Sequence, residues 1–238
     1  MLHKLLKESV YTVVLTGAGM STESGLSDFR SFQKGLWKHK NPQQIASTYA
    51  LQHNRTEFID FYKMRIAALQ NCEPHQGHHI LAKWEEEGNI QSIITQNVDG
   101  FHHQAGSKRV AELHGTLRHI RCQRCHTQYE NNLYLLNQYE CKCGGFLRPS
   151  VVLFGETLPY EAIIEAEKES NQADLFIVLG SSLQVAPANH FPIEAKHTGA
   201  KLVIINMEPT DFDEEADIVI QGRQIGEVLK EVDEALHC

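Results

Sequence analysis

The chain has 238 residues, enough for one large domain or a large and a small one, and its 42% hydrophobic and 22% charged residues are ordinary for a globular protein. No apolar run approaches the roughly 18 residues that span a bilayer, and Met1-Leu2-His3-Lys4 leads into a short helix without the apolar stretch of a signal peptide, so a cytoplasmic protein with no membrane partner is expected. A formal charge of −8 argues against a nucleic-acid groove, which draws on clustered Lys and Arg, and is compatible with basic protein or peptide partners.

Six short β-branched runs follow one another along the chain: residues 11–16 (YTVVLT), 90–95 (IQSIIT), 150–154 (SVVLF), 174–179 (DLFIVL), 201–205 (KLVII) and 217–220 (DIVI). Their apolarity is continuous and not alternating, as a strand buried on both faces requires. Helical patterns separate them at 74–87, which opens on Pro74 and closes before Gly88, and at 159–170, 188–197 and 226–237. This alternation predicts an α/β fold, a doubly wound, parallel, Rossmann-like sheet. Two stretches break the rhythm. Residues 31–71 carry no strand signal and read as one or two helices, and residues 119–148 hold four of the six cysteines. As insertions they form a small second lobe (31–71 and 119–148) on a Rossmann-like domain (1–30, 72–118 and 149–238), with a cleft between the two.

The first strand runs into Gly17-Ala18-Gly19, where glycines let the backbone turn sharply and approach a pyrophosphate with a helix N-terminus facing the anion. Thr22 occupies the place of the third glycine of the dinucleotide fingerprint, and no acidic residue closes a second strand about 20 residues on, which disfavours a dehydrogenase. A turn that serves only the chain path remains the alternative. The second run ends in Gln96-Asn97-Val98-Asp99-Gly100, a polar cluster at a strand's carboxyl end, where open α/β sheets bind ligands. Asn97 or Asp99 as a plain helix N-cap is the other reading. Of 14 histidines, His75, His78, His79, His102 and His103 gather at expected helix ends as surface or capping groups, and His114 follows the apolar stretch 110–113.

Cys122-Gln123-Arg124-Cys125 is followed, after 15 residues, by Cys141-Lys142-Cys143 and two glycines. Four thiolates in two close pairs suit tetrahedral zinc, and four protein ligands close its shell, which makes it structural and not catalytic. The second pair is one residue tighter than the usual CxxC. Unmetallated thiols are the alternative, and a disulfide framework would scatter its pairs through a small secreted domain.

The longer strings carry a resemblance. Residues 17–30, GAGMSTESGLSDFR, resemble the opening motif of the sirtuin family, GAGxSxxSGxxxFR, with Ser27 where proline is frequent. TQNVDG at 95–100 is similar to the family's TQNxDG, and His114-Gly115 to its catalytic His-Gly. The cysteine cluster stands in the place of the family's zinc module. Residues 148–156 resemble RPxxVxFGE, with Ser150 where His or Asp is usual and Leu153 where an aromatic is frequent. Residues 180–188 resemble GTSLxVxPA with Ser181 for Thr, and Asn206-Met207-Glu208 matches the adenosine-ribose motif. These motifs occur in family order over nearly the whole chain.

The resemblance implies an NAD-consuming enzyme that removes acyl groups from protein lysines and carries one structural zinc, held by Cys122, Cys125, Cys141 and Cys143. It implies that Ala18, Gly19, Thr22, Phe29 and Arg30 belong to a cofactor-binding loop, with Arg30 steadying the pyrophosphate. Asp99 and the Val98 backbone hold the nicotinamide carboxamide, Gln96 and Asn97 meet the ribose side, Ser182 and Asn206 meet phosphate or ribose oxygens, and Ile225 closes over adenine. His114 is the general base, with an unperturbed pKa near 6.5 that suits the task; Asn97 stands with it as catalytic. Val152, Phe154 and Gly155 line an acyl-lysine channel whose backbone takes the peptide as an added strand. Tyr62 and Arg65 share a helix face at i and i+3, and Ala46 sits 16 residues before Tyr62, as in a branch that removes succinyl and malonyl groups by clamping their carboxylate. An ordinary helix with Phe58, Phe61 and Tyr62 in the core and Arg65 in solvent is the other reading. In the implied mechanism the acyl oxygen attacks the ribose anomeric carbon, nicotinamide leaves, and His114 deprotonates a ribose hydroxyl on the way to O-acyl-ADP-ribose and free lysine. A protein mono-ADP-ribosyltransferase using the same cofactor site is the alternative. The partners implied are acylated lysines in proteins or peptides.

Overall fold

A computed structural model of the chain describes residues 1–28 and 41–237. Phe29 and Arg30, two of the expected cofactor residues, lie outside the described residues. In chain order the strands are β1 (Thr12–Thr16), β2 (Ser92–Thr95), β3 (Val110–Glu112), β4 (Gly115–Cys122), β5 (Gln128–Glu130), β6 (Leu147–Val151), β7 (Leu175–Leu179), β8 (Lys201–Asn206) and β9 (Ile218–Gln221). The helices are α1 (Leu2–Glu8), α2 (Pro42–Ile45), α3 (Thr48–His53), α4 (Arg55–Leu69), α5 (Gln76–Glu86), α6 (Phe101–Ala105), α7 (Asn132–Leu135), α8 (Tyr160–Gln172), α9 (His190–His197) and α10 (Ile225–Leu236).

Among the described residues, six strands form one sheet in the order β3-β2-β1-β7-β8-β9 with every pair parallel. Every residue of β1, β2 and β7 is buried, which is what continuous runs of Val, Ile and Leu between two helical layers produce. Alternate residues serve opposite layers. Val14, Ile93, Ile177 and Val203 pack with Leu81 and Trp84 of α5 and Leu229 of α10. Val13, Ile94, Phe176 and Ile204 pack with Ala166 of α8 and Phe191 of α9. No helix of the described residues is long and apolar enough to cross a membrane.

The run at 150–154 is not a strand of this sheet. Its first residues end β6, which pairs antiparallel with β4 in a second sheet, β5-β4-β6. Proline at 149 cannot donate to a ladder and belongs on an edge, and β6 is an edge strand. The parallel sheet takes β3 instead, too short to stand out in the sequence. The helical insertion comprises three helices among the described residues. Asn41 caps α2 through the N–H of Gln43 (2.9 Å), and Ser47 caps α3 through the N–H of Ala50 (3.0 Å), which divides the stretch. Phe58, Phe61, Tyr62 and Ile66 of α4 pack with Leu117, Ile120, Tyr134 and Leu147 as the core of the smaller lobe.

Two of the histidines expected at the surface are inside: His78 is 0% and His102 2% exposed. His78 stands one turn before Leu81 on the buried face of α5, with its ring centroid 5.0 Å from that of His102 and 5.6 Å from that of Phe101. His102 Nε2 lies 2.9 Å from the Thr16 hydroxyl, which donates to Thr95 (2.8 Å) and staples β1 to β2. His75 is the expected cap. Its Nδ1 accepts the Gly77 N–H (3.0 Å) and its Nε2 donates to the Met20 carbonyl (2.6 Å). Burial first, then neighbouring imidazoles, push His78 down to about 2 and His102 down to about 3.

An unfolded imidazole ionises near 6.5, so below that pH the unfolded chain binds more protons than the folded one. Stability is therefore complete above pH ~6.5 and falls as the pH drops, by up to about 1.4 kcal/mol per pH unit for each of the two rings. Denaturant midpoints between pH 7 and pH 5 should trace this fall, and His78→Asn should make the slope shallower; an unchanged slope would remove His78 from it.

Candidate active site

Most of the expected cofactor residues among those described stand at the carboxyl ends of the parallel strands, on either side of β1, where the strand order reverses. Gly17 to Ser21 follow β1, Gln96 to Asp99 follow β2, His114 follows β3, Ser181 and Ser182 follow β7, and Asn206 ends β8. The helix expected after the glycine turn is, among the described residues, a four-residue 3₁₀ turn, Ala18–Ser21. The glycines have another reason. A Cβ on Gly17 would lie 2.7 Å from the Gly180 carbonyl oxygen and one on Gly19 2.8 Å from the Gly180 Cα, so the turns after β1 and β7 touch backbone to backbone.

Side chains then lock these strand ends together. Asn97, 7% exposed, donates its amide to the Gly17 carbonyl (3.0 Å) and to the Ser21 hydroxyl (3.2 Å). Ser21 donates to Asp99 (2.8 Å), whose other oxygen accepts the Phe101 N–H (3.0 Å), the capping role open to it from sequence. Ser181 donates to the Gln96 side chain (2.8 Å), and the Gln96 carbonyl accepts from His114 Nδ1 (3.0 Å). A carbonyl only accepts, so Nδ1 carries the proton and Nε2 is left as the basic nitrogen. Burial raises Asp99 above the usual carboxylate range, against the pull of Phe101 and Ser21. Thr22 is exposed and donates to the Gly19 carbonyl (2.8 Å), and the Asn206 amide donates to the Glu208 carbonyl (2.8 Å). Ile225 opens α10 with its side chain in the core. Ser21 and Ser181 both fall inside strings read from the sequence, 17–30 and 180–188, but the sequence assigns neither of them the role of joining strand ends that their hydrogen bonds show.

His114, Gln96 and Val98 also line one end of a cavity of about 290 Å³. Ala46, Tyr62 and Arg65 wall it from the smaller lobe, and Val152, Phe154 and Gly155 from the segment after β6. Arg65 is 8% exposed, which excludes the reading that left it in solvent, and its Nη1 donates to the Ser27 carbonyl (3.3 Å). Burial lowers its guanidinium from its ordinary value, and Asp99 is the first group to oppose this. Burial likewise raises Tyr62.

Beyond β4 the four cysteines converge. Their sulfurs all lie within 4.8 Å of one another, with Cys122 and Cys143 at 3.5 Å and Cys125 and Cys141 at 3.6 Å. Zinc–sulfur bonds of about 2.3 Å in a tetrahedron separate sulfurs by about 3.8 Å, so these thiols could bind one zinc ion. The shortened second pair fits because a Cβ at Gly145 would stand 2.5 Å from the Cys122 sulfur; only glycine leaves it room.

Fold and site define a two-lobed α/β nucleotide-binding protein with a polar cleft at the carboxyl edge of its parallel sheet and a four-cysteine module. The Sir2 family profile matches residues 17–187, and the chain belongs to that family, the sirtuins. It is 60% identical to NAD-dependent protein deacetylase 1 of Geobacillus kaustophilus (strain HTA426) over 231 residues, covering 97% of this chain and 96% of the relative. It is 55% identical to an NAD-dependent protein deacetylase of Oceanobacillus iheyensis, covering 98% of each. A solved complex of Sir2 with p53 peptide and NAD+ superposes with a TM-score of 0.90 at 39% identity, over 98% of this chain and 96% of that one. One of Sir2 with deacetylated p53 peptide and 3'-O-acetyl ADP ribose gives 0.92, with the same identity and coverage.

Metal analysis of the purified protein should return about one zinc per chain, and a chelator should lower its Tm. A zinc-free preparation that stays fully folded and active would remove the metal from the account.

Proposed function

We propose that the protein removes acyl groups from protein lysines at the expense of NAD, with nicotinamide and O-acyl-ADP-ribose as the other products. One observation carries this reading: His114 belongs both to the hydrogen-bonded strand ends and to the wall of the 290 Å³ cavity. A base in that position can act on the sugar from one side while an acylated lysine enters from the other. The names of the relatives and the peptide and nucleotide complexes of the solved Sir2 proteins support it.

The residues divide the work by their chemistry. NAD supplies a cleavable bond between nicotinamide and ribose. Ala18, Gly19 and Thr22 of the first turn, with Ser182 and Asn206 of the later strand ends and Ile225 at the start of α10, hold the nucleotide. Asp99 and the Val98 backbone orient the carboxamide. Gln96 and Asn97 meet the ribose, and His114 Nε2 takes a proton from a ribose hydroxyl. Val152, Phe154 and Gly155 guide the acyl-lysine, which displaces water from the cavity as it enters. The thiols of Cys122, Cys125, Cys141 and Cys143 hold zinc as a structural ion, and clustered reduced thiols suit the cytoplasm. The lobe division expected from the sequence gives cofactor binding to the larger lobe.

Tyr62 and Arg65 extend the reading to acidic acyl groups. Both line the cavity, and a buried guanidinium beside a phenol is a donor pair for a succinyl or malonyl carboxylate.

Mass spectrometry of acetyl- and succinyl-lysine peptides incubated with the protein tests the activity. Both should lose their acyl group only when NAD is present; ADP-ribose appearing on protein without lysine deacylation would contradict the reading. His114→Ala should lower deacylation by at least about a hundredfold with fold and zinc intact, and full retained activity would remove His114 from its role. Arg65→Met should depress desuccinylation more than deacetylation; an unchanged ratio of the two rates would end the clamp.

A further inference from the structure

The chain after β6 runs past the cavity with little sheet of its own. Beyond Val151 its one bridge among the described residues joins Phe154 to Ser47. Three consecutive N–H groups are nevertheless tied to three different places. Val152 donates to the His114 carbonyl (2.8 Å), Leu153 to the Glu156 carboxylate (2.9 Å) and Phe154 to the Ala46 carbonyl (3.0 Å). Behind the segment lies Arg148, 3% exposed. Its Nη1 and Nη2 donate to the two oxygens of Glu156 (2.6 and 3.1 Å), its Nη2 also to the Val151 carbonyl, and its Nε to the Pro149 carbonyl (3.2 Å). All these acceptors lie between residues 149 and 156, so a buried guanidinium spends its fork on bracing one short stretch of main chain.

We propose that Arg148 and Glu156 are positioning residues for the acylated substrate: the pair holds residues 151–155 on the path that ties Val152 to the main chain of His114. The inference rests on the deacylase reading above. An extended segment with a single bridge loses much backbone freedom when it orders, and a brace that orders it beforehand lowers what the peptide must overcome on binding. The ion pair takes the Leu153 N–H, which lies beyond the end of β6, and adds a bond to the Val151 carbonyl at the strand's last residue. The hydrogen bonds of the pair go to residues 149–156 and, among the described residues, none goes to the glycine turn or to the ends of β7 and β8, so the effect belongs to the peptide and not to the nucleotide.

Steady-state kinetics of the full chain with an acetylated peptide and NAD, beside calorimetry with ADP-ribose as the nucleotide probe, test this. Arg148→Lys, which keeps the charge and loses the fork, and Glu156→Ala should each raise the peptide KM about tenfold or more, with kcat within about threefold and the ADP-ribose Kd within about twofold. Glu156→Gln is close in size, sits at a partly exposed position and still accepts from Leu153. It should fall between wild type and Glu156→Ala, and it keeps the test alive if Arg148→Lys does not fold. A peptide KM unmoved in Glu156→Gln and Glu156→Ala would overturn the proposal. So would a peptide KM and an ADP-ribose Kd that rise together, the sign of general loosening. A wild-type chain that frees no lysine removes the deacylase reading and this inference with it; an active wild type with unshifted variants removes the inference alone.

Discussion

Asn97 is buried, and a buried amide without partners is costly. It finds its acceptors across the sheet, on the carbonyl of Gly17 and the hydroxyl of Ser21. The end of β2 is thereby fixed to the turn after β1, and Ser21 fixes Asp99 in turn. That turn is itself pressed against Gly180, where no side chain fits. Gln96, one residue before Asn97, is held by Ser181 through its side chain and holds His114 through its carbonyl. The imidazole is therefore held through Gln96, the residue next to this buried amide.

The smaller lobe reaches the same point by a different route. β4 begins one residue after His114 and ends at Cys122, so a single strand runs from the proposed base to the first metal ligand. β6 pairs with it and continues into the residues that wall the cavity. Zinc bound at the cysteines would do no chemistry on the substrate, yet it would tie down the far ends of both strands. Removing it would act on the cavity through the sheet.

Much of this was legible in the sequence. Strands buried on both faces advertise themselves by unbroken Val, Ile and Leu, and two cysteine pairs advertise a metal. What escaped depended on partners that the sequence does not pair. Proline at 149 moved the run after it from the parallel sheet to a small antiparallel edge. His78 and His102 looked like capping groups until α5 and α6 faced each other. The glycines at 17 and 19 signalled a turn correctly, but their reason is the backbone of Gly180 and not a helix start. Ser21 and Ser181 stand in two of the quoted strings, but their part in joining the strand ends emerges only with the buried groups opposite them. Arg65 had two readings, and burial decided between solvent and cavity.

On the function proposed above, the first glycine turn, the 96–99 segment and His114 meet around the bond between nicotinamide and its ribose. The most direct measurement counts nicotinamide released against lysines freed, with and without an acetylated peptide. The account predicts equal amounts of the two when the peptide is present and almost no nicotinamide when it is absent. Rapid nicotinamide release without peptide, or lysines freed with none released, would contradict it.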